Sequence, residues 1–96
     1  MQLEIITPEA KIFAGEASSV QFPGLDGSFQ VLNNHAAIIS ALVAGDVKVN
    51  LLTPLDEEEK INANIKIDAA DKNIIRVAIK GGVVEMLNNK VIVLAE

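Results

Sequence analysis

Apolar and polar residues alternate with a period of two along most of the chain. Val47, Val49 and Leu51 alternate with Lys48 and Asn50; Ile61, Ala63, Ile65 and Ile67 alternate with Asn62, Asn64 and Lys66. Ile75, Val77 and Ile79 alternate with Arg76, Ala78 and Lys80. Side chains of a strand point to opposite faces in turn, so each run predicts a strand with one buried and one wetter face, as in antiparallel sheets. Leu3–Ile6, Val31–Leu32 and Val91–Leu94 carry apolar residues on both faces, which predicts more deeply buried strands. Turn or bulge residues separate the runs at Thr7-Pro8-Glu9, Gly15, Pro23–Gly27, Asn33-Asn34, Gly45-Asp46, Thr53-Pro54, Asp68–Asn73, Gly81-Gly82 and Asn88-Asn89. Many short strands with regular turns predict an all-β sandwich or barrel. Only Ala36–Ala44 has a helical composition, and it is too short to form a second layer.

Composition narrows the picture. Ninety-six residues suffice for one domain, spanning residues 1–96, with a modest core. Half the residues are apolar but only Phe13, Phe22 and Phe29 are aromatic, so aliphatic and β-branched side chains must build that core. A net charge of −5 with scattered Lys and Arg argues against nucleic-acid binding, which needs clustered positive charge. Without cysteine there is no disulfide or thiolate metal site. The N-terminal residues lack a basic and apolar targeting pattern, and no apolar run approaches the roughly 20 residues that span a bilayer, so no direct membrane insertion is expected.

Candidate chemistry is sparse. His35 is the sole histidine and has no Cys or second His to share a metal; it reads as a residue that fixes a loop corner or meets a partner, with a pH-dependent role as the alternative. Asp56–Glu59 lacks the alternating ligands of a calcium loop and reads as a solvated hairpin tip. Neither a phosphate-binding glycine loop nor a nucleophile elbow is present, so no cofactor and no catalytic residue is expected. Lys72 sits in an apparent hairpin turn, where small lipoyl and biotinyl carrier domains present a modifiable lysine; the flanking Asn73 and Ile74 do not match that pattern.

The ordered set of motifs resembles the N-terminal domain of F-type ATP synthase epsilon subunits. The matching stretches are Leu3–Glu9, Phe13–Glu16, Val20–Gly24, Asp26–Leu32, His35-Ala36, Ile38–Leu42, Gly45–Val47, Gly81–Met86 and Asn89–Ala95. The resemblance implies a flattened two-sheet antiparallel β-sandwich of about ten short strands. It also implies a non-catalytic rotor subunit on the central stalk, bound to the gamma subunit and the membrane c-ring, coupling ion translocation to ATP synthesis. By the same resemblance Asp26, Gly27, Ser28, Phe29 and Gln30 form the c-ring contact loop, and His35 with Ala36 lies toward gamma. The chain departs from the family in three places. Asn33-Asn34 replaces the usual Pro-Gly, Leu51–Asn73 is longer than usual, and the sequence stops where an inhibitory C-terminal helical hairpin would begin. A short epsilon subunit without that hairpin is expected, on the cytoplasmic side of a bacterial inner membrane. A stand-alone β-sandwich interaction module is the alternative, with the Lys72 carrier behind it.

Overall fold

The computed structural model describes residues 1–96. Seven strands form it: β1 (Gln2–Ile6), β2 (Lys11–Gly24), β3 (Gly27–Leu32), β4 (Ile38–Leu51), β5 (Ile65–Ile67), β6 (Ile74–Leu87) and β7 (Lys90–Ala95). They join in one hydrogen-bonded sheet of order β1-β7-β6-β4-β2-β3, with β5 on β6, and β1 also pairs β2, which closes the sheet on itself. The all-β expectation holds, while the detail changes in two ways. Seven strands replace about ten because β2, β4 and β6 each run for 14 residues without a break. Hydrogen bonding runs through all seven strands as one continuous sheet that closes on itself. Second, β1 and β7 are parallel, so the sheet is not purely antiparallel.

Long strands replace pairs of short ones because glycine lets a strand bend instead of stopping. The first part of β6 pairs β5 through Ile75–Val77 and its last part pairs β7 through Gly82–Leu87. Gly81 and Gly82, at φ 145° and 148°, mark the change of partner. A Cβ on Gly82 would fall on the Leu94 carbonyl oxygen and lie 3.0 Å from the Ala95 Cα, so only glycine lets β7 come this close. Likewise β2 pairs β1 through Lys11–Glu16 and β3 through Ser19–Gly24.

One apolar cluster fills the interior, with Phe22, Leu3, Ile5, Ile65, Ile75 and Met86 its largest fully buried side chains. Alternation correctly marks Val47, Val49 and Leu51 and Ile75, Val77 and Ile79 as inward. It fails at Ile61–Ile67, where only Ile65–Ile67 is strand and Ile61 is exposed. The Asn64 amide donates to Asn62 Oδ1 at 2.8 Å, so a local asparagine turn outcompetes strand pairing there. Ala36–Ala44 is not helical: β4 begins at Ile38 and pairs β6 from Met86 onward. Asp56–Glu59 is an exposed loop capped by a single 3-10 turn, Glu57–Glu59, in place of a hairpin tip.

Candidate functional site

The β2–β3 hairpin carries the first group of candidate residues. Gly24 and Gly27 face each other across a two-residue turn, Leu25-Asp26, and Gly27 takes φ 116°, a conformation that favours glycine. A Cβ on Gly24 would lie 2.6 Å from the Gly27 oxygen and 2.8 Å from the Phe29 ring, so glycine is required there by space. The Leu25 amide donates to the Ala41 carbonyl at 3.1 Å, tying the turn to β4. Asp26, Gly27, Ser28 and Gln30 are exposed. Phe29 differs: it packs against the core with its ring centroid 5.4 Å from that of Phe22, opposite it on β2. Phe29 therefore anchors the hairpin while its neighbours face outward.

His35 and Ala36 lie in the turn between β3 and β4, both exposed. Asn34 adopts φ 61°, the left-handed conformation that Asn tolerates, and its amide donates to Asn89 Oδ1 at 2.8 Å. Asn88 and Asn89, at φ 52° and 62°, form the two-residue turn between β6 and β7. His35 Nδ1–H donates to the Ala36 carbonyl at 2.7 Å, and the His35 amide donates to the Leu32 carbonyl at 3.2 Å. The corner is thus held from two sides, by its own backbone and by the β6–β7 turn. His35 takes part in none of the six ion pairs, and its exposed ring lies at the surface of the corner.

Pairing in register brings together a surface that sequence reasoning missed. Ile39, Glu85, Ile92 and Glu4 lie in one row across β4, β6, β7 and β1. Ala41, Val83, Leu94 and Ile6 lie in the next. These side chains point away from the core, and Ile39 is 77% exposed, Leu94 57%, Leu87 55% and Val83 43%. This largely apolar face, interrupted by Glu85 and Glu4, is a candidate docking surface. It runs into the His35 corner: Ala37 and Leu87 line both a hollow with Ile38, Ile39, Glu85 and Met86 and a hollow with Asn34, His35, Asn88 and Asn89. The available signal was the pair of strands apolar on both faces, since a chain this small cannot bury both sides of its sheet.

Two further ion pairs tie the loops around β5. Asp68 accepts from Arg76 at 2.9 Å and from the amides of Ala70 and Asp71, each at 3.0 Å. The Arg76 hydrogen bond, then the Ala70 amide, hold its carboxyl below the ordinary value of 3.8. Lys72 bonds Asp56 at 2.9 Å, which raises its ammonium above the ordinary 10.5. The turn that resembles a carrier site is therefore occupied by an ion pair joining two loops. No group of three metal-ligating side chains occurs, and no helix is long and apolar enough to cross a membrane.

Comparison with known proteins gives this geometry its setting. Residues 1–63 match the family model described as the ATP synthase delta/epsilon chain, beta-sandwich domain. The chain is 36% identical over 95 residues to the ATP synthase epsilon chain of Chlorobium limicola, covering 99% of this chain and 88% of that one. It is 40% identical over 96 residues to the epsilon chain of Sulfurimonas denitrificans, of which it spans only 60%. A similar fold occurs in the cryo-EM structure of the central stalk and c-ring of the Tetrahymena thermophila mitochondrial ATP synthase. There the TM-score is 0.70 at 16% identity, covering 99% of this chain and 62% of that one. Sequence match and fold agree, and the chain belongs to the delta/epsilon family of ATP synthase subunits.

Proposed function

We propose that residues 1–96 act as one unit in the rotor of a bacterial F-type ATP synthase, peripheral on the cytoplasmic side of the inner membrane. The unit binds the gamma subunit through His35, Ala36 and the apolar face that continues from them. It rests on the c-ring through Asp26, Gly27, Ser28 and Gln30, with Phe29 as the anchor behind them. It passes torque between the two and supplies no catalytic group.

One observation carries this reading: the hairpin turn at Asp26-Gly27 and the His35-Ala36 corner sit at opposite ends of β3, a six-residue strand paired along its whole length to β2, and the outward Ser28 and Gln30 extend the first contact along that strand. Six extended residues separate the ends by roughly 20 Å. Strands hydrogen-bonded into a packed core transmit load with little compliance, as a coupling element between a shaft and a ring requires. The test is copurification of the full chain with gamma and with the c-ring of the same synthase. Retention on both is expected. A folded chain retained by neither rejects the rotor reading.

A further inference from the structure

Glu85 occupies an unusual position on the exposed face. Its direct neighbours across the strands are Ile39 and Ile92, and its same-face neighbours along β6 are Val83 and Leu87. The four nearest positions of the face are therefore apolar, with Lys90 diagonal to Glu85 on β7. None of the six ion pairs of the molecule includes Glu85. The other acid of the same row, Glu4, is held by Lys11 and Lys90, each at 3.5 Å. Lys90 lines a hollow with Glu85, Leu87, Asn88 and Ile92, but its ammonium pairs with Glu4 rather than with Glu85.

In the free chain water solvates Glu85 and the arrangement costs little. A partner seated on Ile39, Val83, Leu87 and Ile92 removes that water. A carboxylate desolvated without a counter-charge is strongly disfavoured, and the neighbouring apolar contacts do not readily offset it. Docking is then favourable only for a surface that brings its own cation to this point. Resting on the gamma-docking reading above, we propose that the face selects a gamma segment carrying one Lys or Arg, which seats opposite Glu85 within an apolar surround. Glu85 is then the specificity-determining residue of the contact, rejecting apolar surfaces that would otherwise fit.

The experiment measures the affinity of the full-length chain for the gamma subunit of the same synthase at several salt concentrations. Glu85→Gln, which keeps the shape and removes the charge, should weaken binding by about 30-fold or more and flatten the salt dependence. Ile39→Ser should weaken binding with the salt dependence unchanged. Glu58→Gln, an exposed acid in the distant β4–β5 loop, should change the affinity less than threefold. Glu85→Lys should bind weakly, and an acidic replacement of the matching basic residue on gamma should rescue it.

Binding by Glu85→Gln within threefold of wild type, or tighter, overturns the proposal. So does an equal loss in Glu58→Gln, which would mean long-range attraction to the net charge. A Lys90→Gln variant that loses as much as Glu85→Gln, with no further loss in the double variant, also overturns it by making Lys90 the internal counter-ion. A wild-type chain that sediments as a dimer disrupted by Ile39→Ser assigns the face to a second copy. Failure of the folded wild-type chain to bind gamma at all would instead refute the docking reading itself.

Discussion

Asp68 gathers three donors, Arg76 and the amides of Ala70 and Asp71, and so fastens the β5–β6 turn beside the start of β6. A carboxylate held below its ordinary 3.8 stabilises the fold above that pH, and the contribution is lost as pH falls through the folded value. Asp68→Asn should therefore lower the urea midpoint at pH 7 and at pH 5. The two proteins should converge as pH drops below 3.8, and denaturation curves across that range check it. Glycines give a second residue-scale expectation. Gly82→Ala drives a methyl group onto the Leu94 carbonyl and should cost about 2–4 kcal/mol. Gly27→Ala meets open space and suffers only from its positive φ, so about 1–2 kcal/mol is expected. Equal losses at the two sites would contradict the close approach of β7 to β6.

At the scale of elements, the β2–β3 hairpin separates fold from contact. Phe22 is fully buried and stacks against Phe29, while Ser28 and Gln30 look outward. Phe22→Ala should destabilise the protein by about 3–5 kcal/mol in chemical denaturation. Ser28→Arg should shift stability by no more than about 0.5 kcal/mol and yet reduce retention by the c-ring. A large fall in the denaturation midpoint of Ser28→Arg would show that the position serves the core. Much of this element was legible in advance, because Pro23-Gly24 and Asp26-Gly27 have the turn chemistry of a tight hairpin. Asn34, Asn88 and Asn89 likewise all take the left-handed conformation that their residue type permits. The strand expected at Ile61–Ile67 was less legible, since apolar residues two apart cannot reveal that Asn62 and Asn64 will form a turn first.

For the whole molecule, closure is the decisive event. β1 pairs β7 in parallel and β2 in antiparallel, so the first strand bridges the last and completes the sheet. No strand of the closed circuit can leave without exposing both of its neighbours. Unfolding should thus be a single cooperative transition, with circular dichroism and the hydrogen exchange of the β1, β6 and β7 amides reporting the same free energy. Slower exchange in β6 than in β1 by more than tenfold would show that the closing strand opens separately.

The sequence by itself determined the all-β class, the positions of most strands and turns, and the family, because alternation and turn residues act locally and survive without knowledge of pairing. It could not determine which strands pair, since β1 meets β7 from opposite ends of the chain. Nor could it reveal the outward apolar face. Leu3–Ile6 and Val91–Leu94 read as buried on both sides, yet closure turns Leu3, Ile5, Val91 and Val93 inward and leaves Leu94 on the surface. Alternation divides a strand into two faces without saying which of them finds a partner. Only the tertiary structure set Ile39, Val83, Leu87 and Ile92 around Glu85, because register across four strands, and no local pattern, decides which side chains become neighbours.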